Sequence, residues 1–234
     1  MTKVVNDQYL AGLWRSQMPS TLLWSAEPNG PSSNFRRQKL PFTGDEPLWI
    51  RPRPLRAPTW SWISVDSAIA FFFPVAKKQL DYIAVEVLEA HVEPVPSDAE
   101  RLDGYLRVRC PLYPVKLIYD RTTDPPTQAL RIGDFTLRHG VFLDESPEAV
   151  GVGERLHLMP IFYRDYHERG KPPTQVRALI LRPTGRVRGE FERFGLFTDW
   201  GNQVLEILTR AWGKEEEIEF EERVGEGRYI ITIV

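Results

Sequence analysis

From Thr59 to the C-terminus the chain repeats one pattern: short runs rich in Val, Ile, Leu, Tyr and Phe, most of them closed by Pro, Gly, Asp or Asn. Runs this short suit strands, where β-branched and aromatic side chains pack on a pleated surface. They fall at Thr59 to Val65, Ile69 to Val75, Tyr82 to Val92, Gly104 to Cys110, Val115 to Tyr119, Leu130 to Leu137 and Val141 to Leu143. Leu156 to Tyr163, Val176 to Pro183, Phe191 to Phe197, Glu217 to Phe220 and Arg228 to Val234 complete the series. Several alternate: after Gly104, Leu106 and Val108 face one way while Tyr105, Arg107 and Arg109 face the other. The expectation is an all-β fold, a β-barrel or sandwich of about ten to twelve mostly antiparallel strands.

Two helices are expected beside the strands. Over residues 7 to 14, Asp7 caps and Tyr9, Leu10, Leu13 and Trp14 share one side at helical spacing, giving a short N-terminal helix that Pro19 stops. From Asp199 to Trp212, Val204, Leu205, Leu208, Ala211 and Trp212 form an apolar stripe, with Asp199 as cap and Gly213 as stop. This late amphipathic helix is a packing element that plugs a barrel end or lies across a sheet. Between residues 27 and 58, Pro, Gly, Ser and Arg dominate, so this stretch reads as a long surface loop within a single domain spanning 1–234. Trp49 and Ile50 anchor it, and Arg36, Arg37, Lys39, Arg51, Arg53 and Arg56 make it basic.

Charge excludes some functions. Thirty basic residues against 32 acidic ones leave a net charge of −2, which argues against a nucleic-acid or anionic-membrane surface. Cys110 is the one cysteine, so no internal disulfide forms, and it reads as a small core residue. With no apolar leader and no run long enough to span a bilayer, the chain is expected to be soluble and cytoplasmic.

Trp60-Ser61-Trp62 carries two of the seven tryptophans with one residue between them. In a strand both indoles point to one face, as core packing or as the wall of a ligand cavity. Familiar catalytic signatures are missing: no phosphate-cradling glycine loop, no Gly-x-Ser-x-Gly, no His-Glu-x-x-His and no Cys-x-x-Cys. His157 and His167, with Asp165 and Glu168, fit no standard metal spacing, so neither metal nor cofactor is expected.

Several blocks resemble a known family. Asp7-Gln8-Tyr9-Leu10-Ala11-Gly12-Leu13-Trp14-Arg15, then Leu22-Leu23-Trp24, then Arg56-Ala57-Pro58-Thr59-Trp60-Ser61-Trp62 is similar to the region C-terminal to the HET domain of fungal heterokaryon-incompatibility proteins. Glu89-Ala90-His91-Val92, Gly104-Tyr105-Leu106 and Gly189-Glu190-Phe191-Glu192-Arg193-Phe194-Gly195 fit the same resemblance. Only Met1 to Asn6 precede the match, so the resemblance implies a fungal, free-standing β-rich region without the HET domain.

Two functional expectations follow. In the first, a cofactor-free enzyme of secondary metabolism holds unsaturated small molecules in an apolar pocket and promotes a pericyclic step such as a Diels–Alder cycloaddition. Trp60, Trp62 and Trp200 would wall that pocket, and His157 and Tyr163 would donate hydrogen bonds to the substrate. Those two lie six apart and share a face only if their strand is regular; a bulge at Pro160 turns one away. In the second, the chain is a recognition or regulatory module that binds without turnover, with the basic loop as its contact surface.

Overall fold

The strand runs assemble into one large sheet. The structure, a computed structural model, describes residues 7–27, 51–52, 54–72, 81–120, 127–138, 140–145, 154–164, 175–200, 202–211, 218–225 and 227–234. Its strands are β1 (Tyr9–Leu10), β2 (Leu13–Trp14), β3 (Trp24–Glu27), β4 (Ala68–Phe71), β5 (Asp81–Ile83), β6 (Glu86–Val95), β7 (Asp98–Pro111) and β8 (Tyr113–Asp120). They continue as β9 (Thr127–Ile132), β10 (Phe135–Leu137), β11 (Val141–Leu143), β12 (Arg155–Arg164), β13 (Gln175–Pro183), β14 (Glu190–Trp200), β15 (Glu222–Arg223) and β16 (Arg228–Ile233). One helix, α1 (Asn202–Ala211), follows β14.

The main ladder runs β10-β9-β8-β12-β13-β14-β16-β7-β6, with β5, β11 and β15 pairing from its sides to make twelve strands. Every pairing is antiparallel except β14 with β16. The ladder's ends, β10 and β6, do not pair, so among the described residues the sheet is open rather than a closed barrel. The fold is all-β, as the run pattern predicts.

The central strands are buried on both faces, which is why Val176 to Leu181 reads as a nearly unbroken apolar run. Val176, Ala178 and Ile180 join a core with Phe194, Phe197 and the α1 residues Val204, Ile207 and Leu208. Leu179 and Leu181 face the opposite core, shared with Phe191, Ile231 and the N-terminal residues Leu10, Leu13, Leu22 and Leu23. Helix α1 thus lies across one face of the sheet. Asp199 does not cap it; that residue is still in β14, opposite Val176.

The N-terminal helix expected over 7–14 is instead a hairpin. Leu10 pairs with Leu13 and Tyr9 with Trp14 across a two-residue turn, Ala11-Gly12, with φ of 42° and 89°. Positive φ at both positions is what a tight hairpin turn demands. The spacing that suggested a helix also puts Leu10 and Leu13 on one hairpin face, both buried, while Tyr9 and Trp14 stack edge to face at 4.9 Å on the other. Short 3-10 turns follow at Arg15–Gln17 and Ser20–Leu22.

Thr59 to Val65 is not a strand either. Ser61 accepts a hydrogen bond from the Ile63 amide and caps a 3-10 turn at Trp62–Ser64. Trp60 and Trp62 therefore do not share a face as strand neighbours do: Trp60 is fully buried and Trp62 half-buried.

The segment is held by an ionic network inside the protein. Arg193 on β14 has no exposed surface; its Nε donates to Asp144 Oδ2 at 2.7 Å, its Nη1 to the Leu22 carbonyl at 2.6 Å and its Nη2 to the Trp24 carbonyl. Its guanidinium lies over the Trp24 indole, 3.4 Å from the centroid. Arg51 donates to the Arg193 carbonyl at 2.7 Å and to Asp144 at 3.2 Å, and approaches Glu145 at 3.6 Å. Arg182 then links Glu145 with Glu192. Three cations and three carboxylates balance, as burial requires. Arg51 was expected on an exposed loop; it is only 2% exposed and belongs to this network. Trp49, Ile50, Arg53 and residues 28–48 of that loop lie outside the described residues.

Removing Asp144 strands two buried guanidiniums. Asp144→Ala is expected to lower unfolding free energy by about 3–5 kcal/mol, whereas Glu93→Ala, at an exposed pair with His91, should change it by less than ~1 kcal/mol. Urea denaturation of the two variants checks this.

Candidate functional site

The residues expected to form one pocket are distributed through the fold. Trp60 is enclosed, and its carbonyl accepts from Trp24 Nε1 at 3.1 Å. Trp62 Nε1 donates to the Gly12 carbonyl at 3.1 Å, and its ring covers the hairpin turn. A Cβ at Gly12 would stand 2.6 Å from that nitrogen, so the glycine is where the indole rests. Trp200 ends β14 opposite Gln175, two positions before α1; its side chain lies outside the described residues.

His157 and Tyr163 sit on opposite faces of the sheet. Strand β12 is irregular between Pro160 and Phe162, and this bulge reverses the alternation. His157 is fully buried and meets the Phe191 ring edge-on at 5.1 Å, on the side of the N-terminal segment. Tyr163 packs against the core that holds α1. Asp165, His167 and Glu168, the other members of the metal arrangement, lie outside the described residues.

Tyr163 belongs to an aromatic cluster that the sequence did not announce. Its hydroxyl donates to Tyr113, its ring lies 6.1 Å from that of Tyr82, and Arg228 donates to the Tyr82 hydroxyl at 2.7 Å. Burial, with a smaller contribution from Tyr229, pushes the Tyr113 phenol up to about 12, against the hydrogen bond from Tyr163 that lowers it. Burial raises Tyr163 further. Both phenols stay neutral at ordinary pH and are poor acids. Cys110 is buried in the first core, and burial raises its thiol well above the usual range, which removes it as a nucleophile.

A different place gathers functional groups. A cleft of about 510 Å³ is lined by residues 114–116 of β8, by residues 131–135 around the β9–β10 turn, by Arg155 at the start of β12, and by Ile207 and Arg210 of α1. Arg155 lies directly opposite Lys116, and Lys116 directly opposite Arg131, so one cation from each of three neighbouring strands forms a row. With strands about 4.8 Å apart, the row spans roughly 10 Å. All three are exposed, and among the described residues none of them forms an ion pair. Arg210, in the last turn of α1, adds a fourth cation to the lining, and Asp134 in the β9–β10 turn is its one carboxylate.

The other border is apolar. Val115, Ile132 and Ile207 are buried in the core beneath α1, on the alternation opposite the cation row, and Phe135, 40% exposed at the start of β10, is paired with Ile132 and shares that opposite face. Like charges directly opposite one another on adjacent strands repel, and an anion between them would relieve that repulsion. No hydroxyl, thiol or imidazole is among the lining residues.

The tyrosine cluster is expected to contribute to the alkaline stability. An unfolded chain ionises tyrosine near pH 10, whereas folded Tyr113 ionises only near 12. Between those values the folded state holds more protons, so stability falls as pH rises through the window. Tyr113→Phe should flatten that fall, seen as a smaller drop in denaturation midpoint from about pH 9 to about pH 11. An unchanged slope would remove Tyr113 as its source.

No helix among the described residues is long and apolar enough to cross a membrane. Comparison with known proteins found no matching family model, no matching curated protein and no matching solved structure.

Proposed function

We propose that the chain is a recognition module that binds an anionic ligand without turning it over. The observation that carries this reading is the row Arg155, Lys116 and Arg131, three cations in cross-strand register in a cleft of ligand size. Its lining offers charge and shape but no hydroxyl, thiol or imidazole to act as nucleophile or proton relay. The cycloaddition reading needs Trp60 at a cavity wall and His157 within reach of a substrate, and both side chains are enclosed in the core. The reading keeps the kinship with the β-rich region of heterokaryon-incompatibility proteins, and a cytoplasmic place of action, as parts of the same proposal. It moves the contact surface from the basic loop to the cleft.

Calorimetric titration with inorganic pyrophosphate tests it. Saturable binding is expected that weakens with added salt, is lost in Lys116→Glu and Arg155→Glu, and returns the pyrophosphate intact by phosphorus NMR. Absence of binding, or cleavage of the pyrophosphate, would sink the proposal. Both substituted residues are exposed, and unchanged melting curves confirm that the variants are folded.

A further inference from the structure

The cation row has a counterpart of opposite sign at the other end of the sheet. Hairpin β6–β7 closes the ladder there, and across it Glu93 lies directly opposite Asp103, as Lys116 lies opposite Arg131 and Arg155. Asp98 and Glu100 stand on the same tip, so from Glu93 to Asp103 the chain carries four carboxylates against one cation, Arg101. We propose that the anion the row recognises is this acidic hairpin tip on a second copy of the chain, so that copies associate head to tail. This rests on the anion-recognition reading above and names the partner that supplies the anion.

Charge and exposure support the pairing. Nearer the base of the hairpin, Glu89 and Glu86 are already paired with Arg107 and Arg109. At the tip, Glu93 has only His91 at 3.4 Å and Asp103 only Arg101 at 3.3 Å as ionic partners among the described residues, and Asp98 and Glu100 have none. The side chains of Glu93 and Asp103 are 67% and 59% exposed, and every residue from Pro96 to Glu100 is exposed. Each patch is thus left with charge that its own copy does not compensate.

The spacing matches as well. Directly opposite residues on antiparallel strands lie about 4.5–5.5 Å apart at Cα, and this holds for the tip and the row alike, so carboxylates set by one ladder meet cations set by the other at the same interval. Two of the three row cations are arginines, whose planar forks hold a carboxylate bidentately. Pro94 and Pro96 carry no amide donor, which disfavours strand addition at the tip and leaves the contact to side chains. A hairpin is already ordered, so presenting its tip costs little conformational entropy. Row and tip are different surfaces of one copy, so the contact is heterologous.

Sedimentation equilibrium of the full chain from about 10 µM to about 1 mM tests this, since exposed ion pairs give weak association. The weight-average mass is expected to rise with concentration in about 50 mM salt and to return to that of the monomer in about 500 mM salt. Lys116→Glu with Arg155→Glu reverses the row, and Glu93→Lys with Asp103→Lys reverses the tip. Each double variant alone should stay monomeric, and an equimolar mixture of the two should associate again, because each then supplies the complement of the other. If the unaltered chain stays monomeric throughout, or either variant alone associates, or the mixture does not, the head-to-tail proposal is overturned. Pyrophosphate titration decides anion recognition separately, so the two readings fail independently. All four positions are exposed, and cooperative thermal melts confirm that the variants are folded.

Discussion

The structure depends on one buried guanidinium. Arg193 is wholly enclosed, and burial pushes its pKa down while Asp144 holds its charge. A charge in that position persists only if its donors are satisfied, and they are satisfied by Asp144 and by the Leu22 and Trp24 carbonyls. The N-terminal segment therefore has to dock on β14 for the sheet to be stable there. The same contact sets the tryptophans: Trp24 lies beneath the guanidinium and donates to the Trp60 carbonyl, Ser61 donates to Ala11 and Trp62 to Gly12.

This gives a physical meaning to the motif blocks. Leu-Ala-Gly-Leu-Trp and Leu-Leu-Trp near the N-terminus, Ala-Pro-Thr-Trp-Ser-Trp and the distant Gly-Glu-Phe-Glu-Arg-Phe-Gly come together in the fold. Gly12 is the floor for Trp62, and Gly195 lets β11 approach β14, since a Cβ there would stand 2.3 Å from the Phe142 carbonyl. Their residue types follow from packing a hairpin and a 3-10 turn onto a buried ion pair. The most distinctive residues in the sequence are thus engaged in structure.

The strands were legible because alternation is local: Leu106 and Val108 are buried while Arg107 and Arg109 pair with glutamates across the strand surface. Two of the errors have local causes as well. Leu10 and Leu13 satisfy a helix and a two-residue hairpin equally, and only the turn conformation at Ala11-Gly12 separates them. Ser61 diverts the Trp60 to Ser64 stretch from a strand by capping a turn, a competition between side chain and backbone that hydrophobic periodicity does not register. Arg51 was misread because it lies in a proline- and arginine-rich stretch, whereas its partners Asp144 and Arg193 lie 93 and 142 residues away.

The cleft was illegible for a stronger reason. Lys116, Arg131, Arg155 and Arg210 sit in four different elements, and a balanced net charge conceals them. Register is what aligns the first three, and register is a property of strand pairing rather than of any one stretch. Their charges also differ in kind from those around Arg193. Buried charges must be paired for the fold to stand, whereas Lys116, Arg131 and Arg155 are exposed and form no ion pair among the described residues, and Arg210 has only an exposed pair with Glu206, so the fold does not require them. Charges that stability does not demand, gathered by topology into one row, are the part of this molecule that packing leaves unexplained and that the proposed anion recognition would use.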